Sequence, residues 1–580
     1  MKKPFHRDAL AALALWAAAP AALAAFTIDD IHFWAGEGTN AAVVVVDWST
    51  EGAAPLAWGW RWNGERSAAD LLAAVVREDP RLHGLLTGTA YGLSLYALGY
   101  DRADDAASFR FDYNGGHVVA EASDAAALVA GGWLSGYWCQ WTANVGGAFD
   151  ASSLSYGNGL SYTPLTNGSW HVLQFQRPEW GWDSHPLAGE PVAAESPYAW
   201  RVVAADVAAG GFYGDPANAL GGPSRSVPSW GAIPPTTANP ASPAWGAGRL
   251  VALQSATGDR GSITVAFDHD VADDPRNPFG LDFIVFGNAM QNLGGNASFH
   301  GDSDPATVVF GTDGVGSEPG LVEVSADGTN FFAFAGGPYA DDFAPTMSHR
   351  YDPENPDPSL FGGSACTNRW WGAPSDATRP VDPALSGANF KGRTLADYAR
   401  LYDGSAGGTG FDISGFDLPR DARGRKFIRF VRITTLDPDD DGDYTDVDAV
   451  SDVAPAPSFR NWVDAHFPFA ERPDVTKTTV CANGEPAFVN AALGLAPDAP
   501  APASWAIEGF DPATRTLSAP LAPFASDLVR LLSSSSLTNA DWSAALPVYA
   551  GTNALGRPLF RPQGPAADAP AAFFRLEIHE

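Results

Sequence analysis

Short apolar runs separated by clusters of Gly, Pro and Asp constrain the fold of this chain more than any other feature. Between residues 201 and 455 the apolar runs are brief and rich in aromatic and β-branched residues, and helical periodicity is almost absent. Regularly spaced strands with turn residues between them predict a β-sandwich of jelly-roll type. The predicted strands are 262–267, 281–286, 321–325, 331–334 and 427–434.

The chain before residue 199 combines strand and helix signals. Residues 41–48 form a short β-branched run, which is typical of a buried strand. A helix is predicted to follow, because Ser67 stands at an N-cap position and Asp70 completes a capping box, with Pro80 beyond the helix end. We therefore expect an α+β unit with one principal helix.

The chain of 580 residues is too long for one hydrophobic core. The Ala-Pro repeat at residues 454–457 indicates a linker. A short helical segment at 394–401 is expected to be a surface excursion. We predict a mainly β, multidomain protein with a small α+β ligand-binding-like domain at 26–198, a central calcium-stabilised β-sandwich at 199–456 and a small C-terminal β-rich module at 457–580.

Residues 1–25 have the pattern of a secretory signal peptide. Lys2, Lys3 and Arg7 precede an apolar run at 9–22, and Ala-Leu-Ala at 22–24 offers a cleavage site. The alternative is an uncleaved N-terminal anchor. No later run of 18 apolar residues follows, so no transmembrane segment is expected. The prediction is an exported protein that is periplasmic, extracellular or associated with the cell envelope.

Charge and motif content narrow the function. A formal charge of −32 disfavours nucleic acid as a partner and favours divalent cations. Three widely spaced cysteines, Cys139, Cys366 and Cys481, exclude a disulfide framework. The sequence lacks a G-x-S-x-G elbow, an H-E-x-x-H helix, a P-loop and a kinase signature, so no enzyme activity is predicted.

The strongest chemical motif is the acidic segment 437–448. Carboxylates at its positions 1, 3, 5 and 12, with Gly442 at position 6, match the spacing of an EF-hand-type calcium loop. The alternative is a solvated acidic turn. Calcium is therefore the predicted cofactor, in a structural role, and the predicted ligands are Asp437, Asp439, Asp441, Asp443 through its carbonyl, and Asp448.

The remaining acidic cluster and the histidines are not predicted to form metal sites. Asp268, Asp270, Asp273 and Asp274 lack a Gly and regular spacing, so we interpret them as a solvated loop rather than as a second cation site. The histidines, His32 among them, show no paired ligand spacing and are interpreted singly as core or surface residues.

Aromatic clusters in the first domain are candidates for ligand binding. Trp58, Trp60 and Trp62 alternate along one predicted strand and so share one face. Aromatic faces of this kind stack on sugars or flat cofactors, and they also build hydrophobic cores. The predicted ligand-binding residues are Trp60, Tyr137, Trp138 and Trp141.

Several segments resemble known families. Residues 31–40, the Trp-Gly-Trp-Arg-Trp run at 58–62 and the capped helix resemble the N-terminal module of exported cell-surface proteins of environmental bacteria, of verrucomicrobial and planctomycete type. The order of elements up to Gly-Tyr-Trp-Cys-Gln-Trp at 136–141 is also similar to the small β-domain of transcobalamin-type cobalamin-binding proteins. Residues 379–382 and 447–453 resemble the jelly-roll domain of the exported proteins, and residues 491–497 resemble their C-terminal module. These resemblances imply an extracellular location.

The function expected from the sequence is a non-catalytic secreted or cell-surface protein that binds a small-molecule or glycan ligand, or adheres, and is stabilised by calcium. Four alternatives remain open. They are corrinoid capture by the first domain, glycan binding by the jelly-roll domain, hydrolysis of a cell-wall or extracellular polysaccharide, and a purely structural role as an envelope or matrix component.

Overall fold

The computed structural model describes residues 25–578 apart from short gaps, and it shows a mainly β protein. Strands account for 39% of it and helices for 13%, so sheets carry the fold as predicted. The gaps are residues 91, 103–108, 115–116, 123–126, 133–134, 178–186, 188, 211–212, 226–243, 245–247, 257, 259, 293–302, 358–368, 422–423, 437–443, 457, 469–470, 473–474, 501–506, 512–514, 522–527, 535–542, 553–557 and 564–572.

The first unit contains twelve strands and one α-helix among its described residues. They are β1 (Trp34–Ala35), β2 (Asn40–Asp47), β3 (Leu56–Trp62), α1 (Ala68–Glu78), β4 (Leu82–Thr89), β5 (Gly92–Tyr100), β6 (Phe109–Asn114), β7 (His117–Ala122), β8 (Leu128–Gly131), β9 (Tyr137–Val145), β10 (Ser155–Tyr156), β11 (Ser169–Gln176) and β12 (Val192–Ala193).

A seven-stranded sheet organises this unit. Its order is β1-β3-β2-β11-β9-β10, and β12 also pairs with β3. The β2 strand is buried on both faces, as its valine run predicts. On one face α1 packs over the tryptophans of β3; on the other, Trp141 and Trp170 cover the sheet. The helix begins after Ser67, which forms the predicted capping box with Asp70.

The middle of the chain forms the predicted β-sandwich with a helical insertion. Its elements are β13 (Arg201–Asp206), β14 (Val251–Ala252), β15 (Ser262–Ala272), β16 (Phe283–Phe286), β17 (Met290–Gln291), β18 (Val315–Gly316), β19 (Gly320–Ser325), β20 (Phe332–Ala333), β21 (His349–Tyr351), β22 (Trp371–Pro374), α2 (Leu395–Leu401), β23 (Thr409–Phe411), β24 (Phe427–Thr435), β25 (Asp446–Val447) and β26 (Ala449–Asp452). All five strands predicted from the sequence are present.

Two antiparallel sheets enclose the sandwich core. One has the order β13-β15-β24-β19-β20 and the other β23-β16-β26, with β14 paired to β25 nearby. Val265 and Val431 of the larger sheet pack against Phe283 and Val450 of the smaller sheet. The outer face of the smaller sheet is also buried, because Ile284 and Phe286 join the core of the first unit.

The prediction that the 394–401 helix is a surface excursion is wrong. Five of the seven residues of α2 are buried, and the helix packs into an aromatic cluster with Phe390 and Trp371. The Thr394 hydroxyl caps its N-terminus in a box with Asp397. The insertion thus has a hydrophobic core of its own, which a seven-residue helix is too short to reveal through its periodicity.

The C-terminal unit comprises α3 (Ser458–His466), α4 (Ala487–Leu493), β27 (Gly509–Asp511), β28 (Thr516–Ser518), β29 (Val529–Ser534), β30 (Ser543–Thr552), β31 (Pro558–Gln563) and β32 (Phe573–Ile578). Its six-stranded sheet has the order β27-β28-β31-β30-β29-β32. Ion pairs from Arg472 to Asp382 and from Arg379 to Asp464 join this unit to the sandwich. Across the described part of the chain, no helix is long and apolar enough to cross a bilayer.

Candidate functional site

The four aromatic residues predicted to bind a ligand do not converge on one cleft. Trp60 and Trp138 lie on the sheet face that α1 covers, whereas Tyr137 and Trp141 lie on the opposite face. Trp60 is 8% exposed and stacks on Trp62 with ring centroids 5.3 Å apart. Trp141 is 4% exposed and packs against Tyr156. In this arrangement they build the two cores that flank the sheet.

Four of the predicted calcium ligands, Asp437, Asp439, Asp441 and Asp443, lie outside the described residues. Asp448 is described and fully buried. Its carboxylate accepts hydrogen bonds from the Ser224 backbone N–H at 2.8 Å and from the Ser224 hydroxyl at 2.7 Å. Burial raises the pKa of Asp448 to about 7, against the opposing effect of these hydrogen bonds. Calcium binding by the 437–448 loop stays a prediction. The described residues include no group of three or more His, Cys, Asp or Glu that could hold a metal ion.

A cleft of about 560 Å³ lies between the first unit and the sandwich, and charged and polar residues of both line it. The first unit contributes the 36–39 turn, Arg61 and Glu78, and the sandwich side contributes residues 217–225, Arg249 and Asp448. A cleft between two packed units, lined by charged groups, is the usual location of a ligand-binding site.

Two glycines bring the 36–39 turn against β3. Gly36 has φ +62°, and a Cβ there would lie 2.5 Å from the Trp60 indole nitrogen. Gly38 has φ +154°, and a Cβ there would lie 2.2 Å from the Trp62 carbonyl carbon. Any larger residue would displace the turn from the strand. Between these glycines, Glu37 projects from the turn into the cleft.

Charged side chains of both signs line this cleft. Glu37 forms an ion pair with Arg249 across the two units, and the Arg225 backbone N–H donates to Glu37 at 3.4 Å. The Arg225 guanidinium also donates to the carbonyl of Ser375 at 3.2 Å. These contacts fix the sandwich wall of the cleft relative to the 36–39 turn.

The opposite wall carries Glu78 and Arg61. Glu78 accepts from the Gly36 backbone N–H at 2.9 Å, which ties the end of α1 to the turn. The Arg61 side chain is exposed, and its guanidinium lies 4.4 Å from the centre of the Trp34 ring. The lining of the cleft is nearly balanced in charge. It contains three arginines and three acidic residues, which are Arg61, Arg225, Arg249, Glu37, Glu78 and Asp448.

A second polar network joins the same two units and corrects the interpretation of the 268–274 cluster as a solvated loop. The Asp268 carboxylate is buried on β15, where His32 of the first unit approaches it at 2.8 Å and His269 at 2.7 Å. The other ring nitrogen of His269 lies 2.9 Å from Asp452. Asp274 is also buried, paired with Arg276 and Arg425. His32 is consequently an interdomain contact.

Sequence reasoning did not single out Glu37, Glu78, Arg225 or Arg249 as site residues. The one local signal was the Gly-Glu-Gly-Thr turn at 36–39, since two glycines around an acid indicate a backbone held in an unusual conformation. The partners of that turn come from segments almost 200 residues away, which no local pattern indicates.

The fold and the cleft together define a mainly β protein in which a sheet-based unit packs on a β-sandwich and the two share a polar cleft. Comparison with known proteins adds no narrower class, because no family model, curated protein or solved structure matches this chain.

Proposed function

We propose that this chain is a non-catalytic, exported ligand-binding protein and that the cleft between its first unit and the sandwich binds a neutral, polyhydroxylated ligand of the saccharide class. The observation that carries the proposal is the charge-balanced polar lining of that cleft, with Arg61, Glu37 and Glu78 at its surface. Export is supported by the signal-peptide pattern of residues 1–25.

The near balance of positive and negative charge in the cleft favours a neutral ligand. An anionic ligand would meet Glu37 and Glu78, and a cationic ligand would meet Arg61 and Arg225, so each would be repelled by half of the lining. Hydroxyl groups both donate and accept, which lets one sugar ring bond to a carboxylate and a guanidinium at once. The half-buried Trp34 ring also lines the cleft, with the Arg61 guanidinium over it.

The direct test is a glycan array with the full chain, followed by calorimetric titration of each ligand found. Arg61→Ala and Glu37→Gln each remove one charged hydrogen-bonding group from the cleft. Because such a bond contributes about 1.5–3 kcal/mol, each variant should weaken binding by roughly tenfold or more. Arg110→Ala is the matched control, since Arg110 is exposed on β6 and does not line the cleft.

Two results would contradict this proposal. One is the absence of binding to any neutral glycan by the correctly folded chain. The other is a glycan affinity that Arg61→Ala and Glu37→Gln leave unchanged, because the ligand would then bind elsewhere.

A structural role for calcium is the second part of the proposal, and the spacing of the 437–448 loop supports it. Addition of Ca²⁺ to the EDTA-treated chain should raise its melting temperature, because a ligand that binds only the folded state stabilises it. The double variant Asp439→Ala plus Asp441→Ala should lose most of this increase. An unchanged response to calcium in the double variant would mean that the segment is a solvated acidic turn.

A further inference from the structure

Two buried aspartates of the sandwich, Asp341 and Asp446, lie in contact beside Gly287. Asp341 is 1% exposed, and Asp446 of β25 is 8% exposed. Asp341 accepts from the Ala289 N–H at 2.8 Å and from the Asp446 N–H at 3.1 Å. Both oxygens of Asp341 therefore act as hydrogen-bond acceptors.

The backbone is shaped to bring these two residues together. A Cβ on Gly287 would lie 2.2 Å from the Asp341 carboxylate and 2.7 Å from the Asp446 carbonyl oxygen, so only glycine permits this approach. Asp341 itself has φ +52°, in the left-handed region. Two acidic residues are thus held close to each other in a buried site.

Asn288 supplies a third oxygen, and this oxygen is an independent observation that points to a ligand. Its side-chain nitrogen donates to the Asp446 carboxylate at 2.6 Å, which places the amide against the carboxyl pair. The residue is only 9% exposed, and its side-chain oxygen has no hydrogen-bond partner among the described residues. Buried acceptors in proteins are normally satisfied, so this oxygen is available to a bound cation.

We propose that Asp341, Asp446 and the side-chain oxygen of Asn288 bind a divalent cation, Ca²⁺. Asp446 lies within the 437–448 segment but is not one of its predicted ligands, and Asp341 and Asn288 lie outside that segment. It also does not depend on saccharide binding in the cleft.

Charge and ligand chemistry both favour this assignment. Asp341 and Asp446 are both buried and in direct contact, so a divalent cation bound by both carboxylates would neutralise two charges that are otherwise costly to bury together. Carboxylate and amide oxygens are hard ligands, which select Ca²⁺ or Mg²⁺ over transition metals. Ca²⁺ accepts irregular sets of protein oxygens, whereas Mg²⁺ demands a near-ideal octahedron and retains its waters.

The experiment is a calorimetric titration of the full, EDTA-treated chain with CaCl₂. Asn288→Ala and Asp446→Asn should each lower the affinity of one Ca²⁺ site at least tenfold. Asn288→Asp, which keeps the oxygen and adds a charge, should bind at least as tightly as the wild type. Asn355→Ala is the matched control, because Asn355 is an exposed amide in a turn. Near-UV circular dichroism establishes that each variant is folded.

The loop variant separates the two calcium proposals. Asp439→Ala plus Asp441→Ala should leave the Asp341 site intact, and the binding that remains should disappear when Asn288→Ala is added. The proposal is overturned if folded Asn288→Ala and Asp446→Asn bind Ca²⁺ as the wild type does, or if the loop variant alone abolishes all binding. It is equally overturned if the wild type binds no Ca²⁺, because the two carboxyl groups then share a proton instead.

Discussion

The histidine network between the first unit and the sandwich makes a strong prediction about stability. Both ring nitrogens of His269 face carboxylates, at 2.7 Å from Asp268 and 2.9 Å from Asp452. Ionised carboxylates only accept hydrogen bonds, so two of them at the two ring nitrogens favour the doubly protonated, positively charged imidazole. The three side chains are 4–14% exposed, so water screens the pairs weakly.

His269→Leu removes this cation and leaves two buried carboxylates. Removal of one partner from a buried ion pair costs about 3–5 kcal/mol. Asp268 keeps two other contacts, the His32 ring at 2.8 Å and the Ser196 backbone N–H at 3.0 Å. We therefore expect a loss near the lower limit, about 3 kcal/mol, in the free energy of unfolding of the two joined units.

Urea unfolding at pH 7, followed by tryptophan fluorescence, measures this loss. Asp270→Asn is the control, because its partner Arg429 is half exposed and surface pairs contribute at most about 1 kcal/mol. A double-mutant cycle of His269→Leu with Asp452→Asn isolates the energy of that pair. A destabilisation below about 1 kcal/mol for His269→Leu would refute the assignment of a buried, charged His269.

Three further predictions concern single polar side chains of the first unit and the sandwich. Trp58→Phe removes the indole donor to Asp79, a buried bond of 2.7 Å, and should cost about 1–3 kcal/mol in urea unfolding; a neutral effect would contradict that bond. Ser67→Ala removes the N-cap of α1 and should cost about 1 kcal/mol, whereas Ser67→Asp should restore most of the stability lost. Burial raises the pKa of Asp282 to about 8, so the folded state resists its ionisation and stability should fall as pH rises from about 4 to about 8. Asp282→Asn should flatten that part of the melting-temperature profile, and a profile that keeps its slope would exclude Asp282 as the cause.

Much of the fold was predictable because its signals are local. The β2 strand and the strands of the sandwich are predicted from runs of β-branched and aromatic residues between turns. The start of the α1 helix is predicted from Ser67 and Asp70, because these capping residues are only three positions apart. The α2 helix was placed correctly, but its burial was not predicted, because the aromatic cluster around it assembles from distant segments.

The candidate sites could not be predicted from local sequence signals. The alternation of Trp58, Trp60 and Trp62 along β3 is compatible with a ligand-binding face and with a core face. Trp60 is a core residue because α1 packs over it. Glu37 meets Arg225 across 188 positions of sequence, and His32 meets Asp268 across 236. Side-chain patterns report on neighbours along one strand or helix and contain no information about which strands become adjacent.

The sequence by itself determined the mainly β class, the capped helix and the strong acidic character of the chain, because strand propensity, capping and charge are properties of short segments. Only the tertiary structure decided that the tryptophans of β3 are buried, that Asp446 meets Asp341, and that the first unit and the sandwich enclose a polar cleft. The physical reason is that burial and ion pairing depend on distances in space, which the folded sheets establish between residues far apart in the chain.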